Sequence, residues 1–229
     1  MTTYGVLSVN VGLPGVLLPW PDGDVISSMD KSPVLADMVT LSRTNLDGDR
    51  QADTRPSPMG GQVHGGLDQA VYAFPSEHFE RLGEIVGSRV AAGFIGENIT
   101  LQGVTEGDVC IGDIWTWGTA RLQVTAPRGP CYKLGIRIGR QAARTIVREE
   151  GLVGWYLRVL TPGEVPTRGP IVRAQQHPQK VTVADIHRAL QDRGTAYPDL
   201  AALAPLSAKV KTALLRRDRD LTGGVPEAD

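Results

Sequence analysis

Cysteine is almost absent from this sequence: Cys110 and Cys131 are the two among 229 residues. Two are too few for a disulfide framework, and they form no C-x-x-C pair. A structural zinc site needs four ligands, and the four histidines are scattered at no recognised spacing. An iron–sulfur cysteine set, a dinucleotide-binding glycine fingerprint and a flavin motif are also missing. Excess charge is lacking too. Lys and Arg total 24, Asp and Glu 25, for a net charge of −1. That gives no global basic field to recruit nucleic acid or an anionic membrane. No apolar run is long enough to span a bilayer, and no basic segment with an apolar core opens the chain as a secretory signal would. The expectation is a cytoplasmic protein with neither nucleic acid nor membrane as partner.

Turn punctuation, by contrast, is abundant, with 27 glycines and 16 prolines. Short apolar runs between them predict many short strands rather than a helical bundle. A composition of 41% hydrophobic and 21% charged residues suits one good-sized core and a small second unit.

Tyr4 to Val11 reads as an opening strand, residues 12–24 as a Gly- and Pro-rich loop, and residues 42–68 as a long polar segment with little periodicity. Such segments in compact domains are usually functional or disordered. Gln69 to Phe74 reads as a strand. Pro75-Ser76 then opens a helix to about Val86, with Phe79, Leu82, Ile85 and Val86 on one face. Ile114 to Trp117 and Ala120 to Thr125 form a hairpin through Gly118-Thr119. Gly139 to Glu150 reads as a helix stopped at Gly151. Its Arg140, Arg144 and Arg148 form a basic stripe, which is more often a solvated face than a docking site. Trp155 to Leu160 and Ile171 to Ala174 read as closing strands. After Pro178 the composition changes. Thr182 is the expected N-cap of a helix from Val183 to Arg193 stopped at Gly194, with further helical stretches near 198–204 and 207–217. The last residues are expected to fray. The division is a β-rich domain over 1–176 and a small three-helix unit over 180–220.

Of the two cysteines, Cys110 lies between Val109 and Ile111 and reads as a small buried hydrophobe. Cys131 differs. It sits in Pro127-Arg128-Gly129-Pro130-Cys131-Tyr132-Lys133-Leu134, a stiff turn at a strand end. Cations such as Arg128 and Lys133 favour the thiolate form of a neighbouring cysteine. A thiolate there could be a soft metal ligand, a nucleophile or a persulfide carrier, and the local features leave a structural role equally open. Two further patches stand out. In His64-Gly65-Gly66-Leu67-Asp68 the glycines permit close backbone approach to a ligand and an anion-binding concavity. In Gly96-Glu97-Asn98 polar groups cluster at a bend between apolar neighbours. Taken alone, each of these two reads as an ordinary turn.

Taken together and in order, the patches resemble the MOSC domain family, named for the C-terminal domain of molybdenum-cofactor sulfurases, and within it the YiiM-like subgroup. The matching pieces also include Ser8-Val9-Asn10, Lys31-Ser32-Pro33-Val34, Leu46-Asp47-Gly48-Asp49, Gln51-Ala52-Asp53, Ala70-Val71-Tyr72, Asp108 to Asp113 and Gly154-Trp155-Tyr156. Their collinear order, more than any single piece, carries the resemblance. It implies a mainly β, barrel-like domain with a few helices, followed by the small C-terminal helical unit. It implies the molybdenum cofactor, a Mo-pyranopterin, as ligand. Cys131 would be the thiolate ligand to the metal. Lys31 and nearby basic side chains, Arg128 among them, would bind the pterin phosphate. His64, Gly65, Gly66, Asp68 and Asn98 would line the pocket, with Asp68 or His64 relaying a proton. Related proteins reduce N-hydroxylated small molecules, such as hydroxylamines and amidoximes, with electrons from a separate reductase. Two rival functions stay open under the same resemblance: a sulfurtransferase carrying a persulfide on Cys131, and a non-catalytic cofactor carrier. Three departures from the family pattern are visible. Thr54 to Gln62 looks like an insertion beside the pocket, Gln69 stands where lysine is expected, and Gly169-Pro170 replaces Gly-Asp.

Overall fold

Alternation along single strands explains how this chain builds its core and where it leaves room for a site. The computed structural model describes residues 1–192, 195 and 197–221. In chain order its strands are β1 (Thr2–Val11), β2 (Gly15–Leu18), β3 (Val25–Ser27), β4 (Ser32–Pro33), β5 (Met38–Leu41), β6 (Val71–Pro75), β7 (Ile99–Gln102), β8 (Ile114–Trp117), β9 (Ala120–Pro127), β10 (Trp155–Thr161), β11 (Gly163–Pro166) and β12 (Gly169–Gln175). Its α-helices are α1 (Phe79–Val86), α2 (Tyr132–Ile138), α3 (Gln141–Glu149), α4 (Val183–Gln191), α5 (Pro198–Ala201) and α6 (Ala208–Leu221).

Strands β1, β7, β6, β10, β9, β8 and β12 pair in that order, and β12 pairs back onto β1. The result is a closed seven-stranded barrel, so the protein is mainly β as expected. Closure leaves no open sheet edge. Every pair is antiparallel except β6–β7. In β10, Trp155, Leu157 and Val159 are buried and alternate with half-buried Tyr156, Arg158 and Leu160. The first set meets Trp115, Trp117, Leu122 and Val124 inside the barrel. The Trp115 and Trp155 rings pack edge-to-face with centroids 6.0 Å apart. Each such fully buried large side chain contributes about 1.5–3 kcal/mol.

Strand β6 is buried on both faces, for a reason that positions the site. Val71 and Ala73 belong to the barrel interior. Tyr72 and Phe74 belong to a second core on the barrel's outer side, with Leu82 and Ile85 of α1, Leu134 of α2 and Val147 of α3. Cys131 packs at the margin of that second core. Helices α4 to α6 cover another part of the barrel and share its core through Val183, Ile186, Leu203, Leu206 and Leu214. Thr182 caps α4 in a full capping box with Asp185, as the N-cap expectation has it. The expected stop at Gly194 and the terminal residues expected to fray lie outside the described residues.

The structure corrects the reading in three places. Residues 12–24 are not all loop, because Gly15–Leu18 pairs with Val25–Ser27 as a ribbon. The apolar run Val16-Leu17-Leu18 is long enough to pair despite its Gly and Pro flanks. Pro75-Ser76 opens only a single tight turn, Ser76–His78, before α1 begins. Helix α2 was not expected, and its mid-helix Gly135 conceals it; a Cβ there would collide with the Gln141 side chain at the start of α3. No described helix is long and apolar enough to cross a membrane.

Candidate functional site

Cys131 is the N-cap of α2, with extended backbone at φ −85° and ψ 168°, so the thiol sits where β9 turns into a helix. It faces a half-open cavity between the β2–β3 ribbon, the 42–68 segment and this turn. Lys31, His64, Gly65, Asn98 and Arg128 line the same cavity. Of the residues singled out in the sequence, these five and Cys131 come together. Gly66 and Asp68 do not; they line a neighbouring cavity. Asp68 is held by Arg158, whose Nε and Nη2 both donate to its Oδ1, at 2.9 and 2.6 Å. Its Oδ2 accepts from Ala208 N–H at 3.2 Å. That placement puts the Asp68 carboxylate outside the Cys131 cavity, on the wall of its neighbour.

One buried carboxylate organises the wall. Asp49 forms an ion pair with Lys31 and accepts hydrogen bonds from Gly12 N–H at 3.0 Å and Asn98 Nδ2 at 2.9 Å. Asn98 Oδ1 in turn accepts from Tyr72 N–H at 3.0 Å. Asn98 is thus spent on tying β6 and the 42–68 segment together. Burial pushes Lys31 below its ordinary pKa, while Asp49 opposes that shift. Glu97 is also fully enclosed, and burial raises its pKa while Gly93 N–H at 2.6 Å and Thr100 Oγ1 at 3.0 Å donate to it.

Two other buried cations are not neutralised. Arg128 lies over the Tyr72 ring at 5.0 Å from its centroid. Lys133 Nζ donates to Ile26 O at 2.6 Å. Neither has a carboxylate partner among the described residues. Ion pairs usually accompany buried charge, so this cavity wall is short of negative charge. Two polar atoms on it, Ser28 Oγ and Gln69 Oε1, are buried without a hydrogen-bond partner.

The surplus acts on His64. Burial first, then Arg128, Lys133 and Lys209, push its pKa from 6.5 down to about 4. The imidazole is neutral at physiological pH. An NMR titration is expected to place its midpoint near 4. The folded value is depressed, so between about pH 6.5 and 4 the unfolded chain binds the proton first. The contribution of His64 to stability is intact above that window and declines as pH falls through it. A midpoint near 6.5 would mean that neither burial nor the cations act on the ring.

Asp49, overlooked although a quoted motif contains it, lies behind the wall and holds Lys31. Two cavity residues, Tyr72 and Tyr156, were overlooked in the same way. Their signal was present, but only packing shows that they share one cavity. In the glycine motif the close approach seen is to the chain's own Gln51 side chain. Gly65 has φ +72°, and a Cβ there would lie 2.9 Å from the Gln51 side chain.

A model of the MOSC domain matches residues 60–175. YflK of Bacillus subtilis is 38% identical over 162 residues, covering 71% of this chain and 69% of that protein. A Gibberella moniliformis protein named as a reductase is 30% identical over 177 residues, covering 73% of this chain but 29% of its own length. The crystal structure of YiiM from Geobacillus stearothermophilus superposes with a TM-score of 0.76 at 31% identity, covering 94% of this chain and 99% of that one.

Proposed function

The chain belongs to the MOSC domain family, and we propose that it holds the molybdenum cofactor beside Cys131 and reduces N-hydroxylated small molecules. The observation that carries this reading is a lone soft donor in a cavity with unneutralised cations. Among the described residues no group of three or more His, Cys, Asp or Glu could hold a metal ion. A metal at Cys131 would therefore bring its other ligands with it, as a dithiolene-bound metal does. Thiolate suits a soft, sulfur-rich centre. Arg128 and Lys133 suit the anionic charge of the same ligand, and Ser28 Oγ supplies hydrogen-bonding capacity that the fold leaves unused.

When bound, the cofactor would supply the two electrons that, with two protons, convert an N–OH group to N–H and water. The chain's own residues do the rest. Cys131 Sγ anchors the metal. Arg128 and Lys133 hold the anionic body of the cofactor, with Lys31 beside them already matched to Asp49. His64, neutral, can accept a hydrogen bond from the N–OH group without adding a fixed charge. Tyr72 and Tyr156 close the barrel side of the cavity, and burial raises both phenol pKa values. Electrons come from a separate reductase. Two free thiols fit a reducing compartment such as the cytoplasm. The name of the Gibberella relative is consistent with a reductive reaction.

Metal and pterin analysis of the purified protein, paired with reduction of benzamidoxime by a reduced viologen dye, tests the reading. Stoichiometric molybdenum and conversion to benzamidine are expected. Protein that purifies without molybdenum from a molybdate-fed host, or that carries it and leaves benzamidoxime intact, would sink it.

A further inference from the structure

The segment Thr54–Gln62 folds into a small closed loop. Ser57 N–H donates to Gly61 O at 2.9 Å, and Pro56 pairs with Gln62. The loop reaches the start of α6, where a Cβ added at Gly60 would lie 3.6 Å from Ala208 Cβ. Between the loop, the Leu67–Gln69 turn and the first residues of α6 lies a second cavity. It adjoins the Cys131 cavity, since Gly65 and Gln69 line both.

Two polar groups in it are not consumed by the fold. Gln69 Oε1 has no hydrogen-bond partner. Lys209 Nζ donates to Val63 O at 2.6 Å, which leaves further ammonium hydrogens to give. Lys209 has no carboxylate partner among the described residues, and burial alone lowers its pKa. The acid of the cavity wall, Asp68, is occupied by Arg158 and by Ala208 N–H.

We propose that this second cavity is a substrate subsite for an anionic substituent, with Lys209 as its charge partner and Gln69 as the acceptor that orients the substrate's body. The proposal rests on the reductase reading of the Cys131 cavity and names the substrate class it favours: N-hydroxylated compounds that carry a carboxylate or phosphate-like group.

Binding tests it without requiring turnover. The full chain is titrated by calorimetry with benzamidoxime, 4-carboxybenzamidoxime and the 4-phosphono counterpart. At least one acidic compound is expected to bind about ten-fold tighter than the neutral parent, and the tighter acid identifies the preferred group. The preference should fall below about two-fold in Lys209→Met and persist in Lys209→Arg, which keeps the charge. Equal affinity for all three compounds, a preference that survives Lys209→Met, or no binding of any of them overturns the proposal. An anion preference without N–O cleavage would uphold the subsite and sink the reductase reading alone.

Discussion

Asp49→Ala is expected to cost about 3–5 kcal/mol of stability, because it strands a buried cation. Lys31 loses its partner with its side chain 6% exposed, and Asn98 Nδ2 loses its 2.9 Å acceptor. Gly12 N–H loses its bond as well. Truncating one member of a buried pair costs more than the pair contributes, since the survivor keeps its desolvation penalty. Asp49→Asn retains acceptor geometry for Gly12 without the charge and should fall between the variant and the parent. The double change Lys31→Met with Asp49→Leu should recover part of the loss, because no buried charge is left over while Asn98 Nδ2 and Gly12 N–H still lack their acceptor. Urea unfolding monitored by tryptophan fluorescence measures all three. An Asp49→Ala protein within about 1 kcal/mol of the parent would show that water relieves Lys31.

Cys131→Ser is expected to remove more than about ten-fold of the bound molybdenum with almost no change in thermal stability. The stability half of that statement follows from position. Serine is a preferred N-cap residue, and Cys131 makes no side-chain cap bond to α2. The substitution is also nearly isosteric at a half-buried position. Loss of metal therefore could not be ascribed to unfolding. The same variant separates the rival roles of the thiol. A persulfide carrier would show cyanide-releasable sulfur in the parent, lost in the variant, with no dependence on molybdenum. A cofactor carrier would hold molybdenum yet leave N-hydroxylated compounds unreduced.

Much of this was legible in the sequence because period-two alternation and turn residues are local. The hairpin through Gly118-Thr119 and the strand at Trp155 follow from residues that neighbour one another in the chain. The cysteine turn was legible as well, through its prolines. The barrel's closure was not, because β1 meets β12 across the whole length of the domain. Nor was the task of Asp68. Its sequence neighbours are the glycine motif, but its partners are Arg158 and Ala208, 90 and 140 positions away. Asp49 illustrates the same limit. Its motif was visible, yet its importance depends on Lys31 and Asn98 arriving at one buried point. Helix α2 escaped for a different reason: glycine propensity argued against a helix that tight packing against α3 requires.

The order in which the walls of the cavity leave the ribosome has a consequence for how it is filled. Lys31 emerges early, His64 next, and Cys131 and Tyr156 later. Contacts of such long sequence separation form late, after the cost of closing large loops has been met. Thr2 to Val6 must wait for Gly169 to Arg173 before the barrel can close. A nascent chain therefore cannot present the closed barrel before residues 169–173 have emerged. Any molecule that fills the cavity meets a closed barrel.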